Sequence, residues 1–260
     1  MIIDEYKIKQ YYKEYQEFVG IELPQIRPTK IEKSNKVLAY IDIDEINKSC
    51  IPLYYAEDIC CSHIQYIKSK FFHEFTHIQD GMKFYNKMER DTLYIVMGTY
   101  SEYHASKNET YNALGYKKYP KKIQQFDDKN KFYNQAGEYE NFHEYVLDAL
   151  NNSILAIPED KIKYSQLDEV TYFRRFRNFI SYTMYFLGKY DVYKDFYYKP
   201  QMFPFAIFHY FEKDIEFAYK MLLSQKGYDE NYIGFVMWYK NIIKSFYDFY
   251  QHDLFSEIPE

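Results

Sequence analysis

Two histidines and a glutamate in one short stretch are the residues of this chain best placed to do chemistry. His73 and His77 stand at positions i and i+4, and Glu74 directly follows the first histidine. On an α-helix, side chains at this spacing project from the same side, so both imidazoles can reach one metal ion. Glu74 then lies about 100° around the helix, where it can take a proton from a metal-bound water without being a ligand. The pattern predicts a zinc site with Glu74 as the catalytic general base.

A catalytic zinc site needs a third protein ligand and leaves a fourth position for water. Five later residues could supply that ligand: Glu89, Asp91, Glu102, His104 and Glu109. We predict Glu102, because small residues share its helical face and would let another helix approach closely. Those small residues are Gly98, Ala105 and Ser106. His104 is the main alternative, while Glu109, two turns beyond Glu102, is expected to be solvated or to support a ligand.

Together the two helices resemble those of the gluzincin metallopeptidases. The matching stretches are His73-Glu74-x-x-His77 and Ser101-Glu102-Tyr103-His104-Ala105-Ser106. In that family the second helix donates a glutamate ligand, and a residue four positions later supports the first histidine. Ser106 occupies that supporting position, where the thermolysin-like members have Asp. Strands ahead of the site helix resemble more closely the ImmA/IrrE-type metallopeptidases, which are associated with mobile elements and with cleavage of repressor-type transcription factors. The resemblance covers about residues 37–110.

The resemblance implies a zinc-dependent metallopeptidase whose substrate is a protein or peptide. Zinc on His73, His77 and Glu102 lowers the pKa of a bound water toward about 7. Glu74 takes the proton of that water and later passes it to the leaving amine. The alternative is a non-catalytic protein that binds a regulator on the same scaffold, and a third possibility is a zinc hydrolase acting on another bond. Glu74 favours catalysis, because a structural zinc site has no use for a base at that position.

Charge and cysteine content limit the classes of protein to which the chain can belong. A net charge of -5 argues against a nucleic-acid partner. The three cysteines, Cys50, Cys60 and Cys61, have no framework spacing, so we expect no disulfide scaffold and a reducing compartment. The first residues lack a secretory pattern, and no long apolar run occurs. We therefore expect a cytoplasmic protein without a membrane partner, of undetermined oligomeric state.

The elements ahead of the site are expected to be one helix and two strands. Periodicity predicts a helix over residues 4–20 and strands over residues 37–46 and 51–55. Two prolines predict an extended linker over residues 21–28. Gly20 is expected to end the helix. Pro52 restricts the second strand to a sheet edge or a strand start. An extended strand such as this one, close to the site helix, could pair with a peptide substrate as an added strand.

The site helix is predicted over about residues 58–80. Its apolar residues form one stripe: Ile64, Ile67, Phe71, Phe75 and Ile78. His73 and His77 fall opposite that stripe at about 100° per residue, which disfavours their being core histidines. Asp80 falls near the histidines. It can accept a hydrogen bond from a histidine N–H or serve as an alternative ligand, or it can simply end the helix before Gly81, the predicted terminator.

Further helices are predicted over about residues 87–114, 138–156, 166–190, 202–225 and 229–250. We therefore predict a mainly α fold of the α+β type. It would comprise a zincin-like metallopeptidase core with a small strand-containing N-terminal part and a helical C-terminal half. A soft boundary separates a metal-site part, residues 1–118, from a helical part, residues 119–260, unless both form one continuous domain. One of these helices contains a small basic cluster, Arg174, Arg175 and Arg177. A cluster of this kind can bind an acidic partner or a nucleic acid, but we expect it to form a solvated face.

Overall fold

The computed structural model describes most of the chain, and every structural statement below concerns that part. The described residues are 3–31, 39–56, 63–120, 132–133, 138–139, 141–156, 169–196, 208, 211–223 and 227–255. They are mainly helical with a small sheet part, which confirms the predicted mainly α class. None of the described helices combines the length and the apolar character that crossing a membrane requires.

The N-terminal helix α1, Glu5–Val19, ends where the sequence predicts. Asp4 caps its first turn by accepting a hydrogen bond from the backbone N–H of Lys7 at 2.8 Å. Gly20 ends it in the left-handed conformation with φ of 74°. Aromatic side chains fill the interface between α1 and the site helix: Tyr12, Tyr15, Phe18, Phe72 and Phe75. Helix α1 therefore packs against the side of the site helix that faces away from the predicted metal ligands.

A three-stranded sheet precedes the site helix. Its strands are β1, Gln25–Ile31, β2, Ala39–Ile41, and β3, Cys50–Ala56, in the order β1-β3-β2. Strand β3 pairs parallel to β1 and antiparallel to β2. The predicted linker over residues 21–28 is therefore wrong from Gln25 onward. Pro28 is tolerated inside β1 because this strand is the outer one in the described order.

Both predicted strands need correction. Strand β3 lies between two neighbours, so it is not an edge, and the expectation that it pairs with a peptide is wrong. Pro52 precedes the residues that pair with β2, so its missing N–H interrupts no bond to that strand. Residues 37–38 of the other predicted strand lie outside the described residues. That strand ends at Ile41 and not at residue 46, because Asp42 accepts a hydrogen bond from Asp44 N at 2.9 Å and starts a 3₁₀ turn, Ile43–Glu45.

Helix α2, Ile64–Phe84, carries the histidines and is longer than predicted at its C-terminal end. Gly81 does not end it. A Cβ at Gly81 would lie 1.9 Å from Cδ1 of Ile46, so this glycine lets the segment after β2 pack directly on the helix. Residues 58–62 of the predicted helix, including Cys60 and Cys61, lie outside the described residues.

The helix predicted over residues 87–114 contains a change of pitch. It consists of α3, Arg90–Val96, a π-helical turn, Met97–Ser101, and α4, Glu102–Ala113. A π turn inserts one residue, so the faces of α3 do not continue into α4. Gly115 follows with φ of 84° and ends this segment as predicted.

The remaining helices broadly match the predicted ones. They are α5, Phe142–Leu155, α6, Glu169–Phe196, α7, Glu212–Leu223, and α8, Gly227–Phe255. Glu138–Tyr139, predicted as helix, instead pairs with Phe132–Tyr133 as a short two-stranded sheet. A Cβ at Gly188 of α6 would lie 2.4 Å from the backbone oxygen of Tyr103, so α6 packs closely on α4. Helix α4 thus lies between α2 and α6, and the division of the chain at residue 118 stays a prediction.

Candidate metal centre

Helices α2 and α4 bring the three predicted ligands together. Nε2 of His73 lies 3.3 Å from Oε2 of Glu102, and Nε2 of His77 lies 3.8 Å from Oε1. One ligand atom from each of the three residues falls within 4.8 Å of the others. The two imidazole planes cross at 81°, so the nitrogen atoms approach from different directions. This group could hold a metal ion.

Polar contacts between α2 and α4 fix this geometry. Nδ2 of Asn108 donates to Oγ1 of Thr76 at 3.0 Å, and Oγ of Ser69 donates to Oδ1 of Asn112 at 3.1 Å. Both contacts are buried, where a hydrogen bond is costly to lose. They set α4 against the side of α2 that carries the histidines, and Glu102 stands at the first residue of α4.

The predicted small-residue face is only partly right. Oγ of Ser106 donates to the backbone oxygen of Tyr185 at 2.6 Å, so Ser106 faces α6 and not α2. Gly98 has nothing within 4 Å of the position its Cβ would take. The π turn explains the error, because it separates the face that contains Gly98 from the one that contains Glu102.

Each ligand histidine has a polar neighbour on its other ring nitrogen. Nδ1 of His77 lies 2.8 Å from Oγ of Ser101. Nδ1 of His73 lies 3.2 Å from Oε2 of Glu109, at ion-pair distance though not aligned as a hydrogen bond. The supporting position implied at Ser106 is therefore wrong, and Glu109, two turns after Glu102, takes that place.

Asp80 and His104 pair with each other. Nδ1 of His104 lies 2.9 and 3.0 Å from the two carboxylate oxygens of Asp80. Asp80 therefore accepts a hydrogen bond from a histidine, but that histidine, His104, is not one of the three predicted ligands. His104, the alternative third ligand, points to this carboxylate and does not join His73 and His77.

Burial and charge make the centre attractive to a cation. His73 and His77 are only 8% and 9% exposed. Burial lowers the pKa of His73, but the carboxylates of Glu102 and Glu109 outweigh it and raise that pKa to about 10. Burial lowers the pKa of His77 to about 4. The carboxylates therefore stabilise a positive charge at His73. A metal ion bound at Nε2 would replace the proton there and would be stabilised by the same carboxylates.

Glu74 lines the centre without joining the ligand group. Burial is the largest influence on its carboxyl group, and it raises the pKa of Glu74 to about 7. A carboxylate with a pKa near neutrality can both accept and return a proton at physiological pH. Its chemistry therefore suits the predicted role of general base.

The centre opens into two cavities, of about 470 and 650 Å³. Five residues line both: Ala39, His73, Glu74, Glu102 and Ser181. Ala39 belongs to β2 and Ser181 to α6, so these two elements flank the opening. An extended ligand can therefore lie across the centre, with one part in each cavity.

The donor set fits a zinc ion. Two imidazole nitrogens and one carboxylate are ligands that catalytic zinc sites use. With a proton on Nδ1 of His73 facing Glu109, Nε2 keeps its lone pair for the metal. No family model, curated protein or solved structure matches this chain. The resemblance to gluzincin and ImmA/IrrE-type metallopeptidases therefore stays a prediction.

Several residues of the cleft are not singled out by the sequence. Lys70, Tyr185 and Lys189 line the first cavity together with Glu109. Lys70 stands three residues before His73, a spacing that could have placed it near the centre. Tyr185 and Lys189 share one face of α6, but nothing local indicates what α6 packs against. Arg177 is exposed as predicted, and it also lines the second cavity.

Proposed function

We propose that this chain is a zinc-dependent metallopeptidase that hydrolyses a peptide bond in a protein or peptide. The proposal is carried by one observation: the ligand atoms of His73, His77 and Glu102 converge beside Glu74 at an open cleft. A structural zinc site is closed by four protein ligands. Among the described residues this group has three, and it lies on two cavities.

Glu74 is the proton carrier of the proposed reaction. Its carboxylate takes a proton from the attacking water and delivers it to the leaving amine. A zinc ion on the three ligands would act as a Lewis acid that activates the water and polarises the substrate carbonyl. Helices α2 and α4 keep the ligands fixed, so little rearrangement is needed at the moment of reaction.

The proposal includes a zincin-like core and a cytoplasmic location for the chain. A sheet ahead of the histidine helix and a second helix that carries Glu102 support a zincin-like core. The free thiol of Cys50 agrees with a reducing, cytoplasmic environment. The acidic net charge of -5 agrees with a polypeptide substrate and not with a nucleic acid.

Cleavage of a peptide mixture tests this function. The zinc-loaded chain is incubated with peptides of varied sequence, and the products are identified by mass spectrometry. We expect new termini with the wild-type chain and none with Glu74→Gln or with metal-stripped protein. A wild-type chain that holds zinc but produces no new termini would instead favour the non-catalytic, regulator-binding alternative.

A further inference from the structure

The side-chain amino group of Lys189 is buried in the wall of the first cavity. Lys189 is 4% exposed and lines this cavity. Its contacts are with aromatic rings, at 3.3 Å from the ring centre of Tyr145 and 4.7 Å from that of Tyr185. Within the described part of the chain, no acidic side chain lies at ion-pair distance from its Nζ.

The carboxylate of Glu109 acts on Lys189 through its charge, but its direct contacts are with other groups. Lys70 Nζ lies 2.9 Å from Oε1 of Glu109, and the hydroxyls of Tyr145 and Tyr185 donate to the same oxygen. The other oxygen, Oε2, faces His73 at 3.2 Å. Burial raises the pKa of Glu109, but Lys70, His73 and Lys189 outweigh it and hold that pKa below its ordinary value. Oε1 of Glu109 therefore already has three partners, whereas Oε2 accepts no hydrogen bond among the described residues, and this carboxylate acts on Lys189 through its charge without an ion pair.

Among the described residues of the cavity wall, the other acidic side chain outside the metal centre is that of Asp148. It is exposed, and its Oδ2 accepts hydrogen bonds from Tyr139 and Asn152 at 2.8 and 3.4 Å. An exposed carboxylate in water compensates a buried charge only weakly. Burial is the largest influence on Lys189, and together with the charge of Lys70 it outweighs the carboxylates of Glu109 and Asp148 and lowers the pKa of Lys189 to about 7.

A buried ammonium group is costly when the carboxylates near it balance its charge only in part. The face of α6 that carries Lys189 also carries neutral polar side chains that line the cavity, Asn178, Ser181 and Tyr182. These side chains can donate hydrogen bonds to an anion. Glu102 of the metal group lines the same cavity, so one molecule can reach both the metal centre and Lys189.

We propose that the first cavity binds a carboxylate group of the peptide substrate, held by Lys189. This specificity site rests on the proposed peptidase function, and the carboxylate can come from an acidic side chain or from a chain terminus. Aromatic packing alone would also accommodate the lysine stem, but it would give no preference for an anion over a neutral group of the same shape.

Binding of small zinc-directed probes tests the site without requiring hydrolysis. The probes are hydroxamates joined by two to six methylene groups to a carboxylate, each compared with the same molecule ending in a primary amide. Affinities are measured by calorimetry on the zinc-loaded wild-type chain. We expect the carboxylate to bind at least about tenfold more tightly at the best length, the discrimination that one charged contact provides.

The matched variants are Lys189→Met and Arg177→Met, the second in the other cavity. We expect Lys189→Met to abolish the preference for the carboxylate while the amide probe still binds, which shows that the variant is folded and metal-loaded. Arg177→Met should retain the preference.

Equal affinities of the two probes for the wild-type chain would overturn the site, and so would a preference lost only in Arg177→Met. Failure of both probes to bind would overturn the metal centre together with this site, whereas intact binding without peptide cleavage would overturn only the peptidase function.

Peptide binding to Glu74→Gln then distinguishes the two sources of the carboxylate. One peptide has an internal Glu and an amidated terminus, the second has Gln and a free terminus, and the reference has Gln and an amidated terminus. The peptide that binds more tightly than the reference identifies the source. Equal affinities of all three peptides would overturn the proposal.

Discussion

Nδ1 of His73 lies 3.2 Å from Oε2 of Glu109, which stands two helical turns beyond Glu102 on the same helix. Glu109 is 1% exposed and also pairs with Lys70. Its carboxylate thus links the metal centre to the cavity that contains Lys189. A carboxylate at this position orients a ligand imidazole and increases its basicity.

Glu109→Gln is expected to weaken zinc binding by about tenfold to a hundredfold, because the neutral amide no longer polarises the imidazole of His73. Competition with a chelator of known affinity measures the change. Ser106→Ala is the matched control, since Ser106 faces Tyr185 and not the histidine. A larger loss of zinc affinity in Ser106→Ala than in Glu109→Gln would show that Ser106 supports the site.

Glu102→Ala is expected to weaken zinc binding more than Glu109→Ala does. The first change removes a ligand atom, whereas the second removes only a neighbour of a ligand. The same chelator competition gives the order. If Glu109→Ala has the larger effect, Glu109 and not Glu102 is the third ligand.

Gly81→Ala is expected to reduce the free energy of unfolding by about 1–3 kcal/mol, because the new methyl group meets the buried side chain of Ile46. Chemical denaturation measures this change. Gly98→Ala is the control: its Cβ meets nothing within 4 Å, so the higher helix propensity of alanine should leave stability unchanged or raised by up to about 1 kcal/mol.

A second substitution checks the cause of the Gly81 effect. Ile46→Val removes Cδ1, the atom that the new methyl group would meet at 1.9 Å. The double variant should therefore be less destabilised than the sum of the two single changes. Additive losses would mean that Gly81 is required for another reason.

The sequence predicts best the features that depend on local spacing. His73, Glu74 and His77 are related by helix geometry alone, and Gly20 ends α1 through its own backbone freedom. Glu102 lies with the histidines, but the small face used to select it is divided by the π turn. A change of helical pitch leaves no periodic signal in side-chain types.

Tertiary contacts account for what the sequence does not predict. Gly81 resembles a helix terminator, and only the approach of Ile46 reveals its role in packing. Pro28 resembles a linker residue, yet an outer strand accommodates it. Lys189 lines the cleft through the packing of α6 on α4, and the neighbouring Gly188 allows the two helices to approach closely.

Metal analysis of purified protein is the most direct test of the centre formed by His73, His77 and Glu102. The chain is prepared without chelators, and zinc is measured by mass spectrometry in the wild type and in His73→Ala. We expect about one zinc ion per wild-type chain and a large loss in His73→Ala. A wild-type chain without a bound transition metal, or a His73→Ala variant with undiminished zinc, would show that these residues do not form a zinc site.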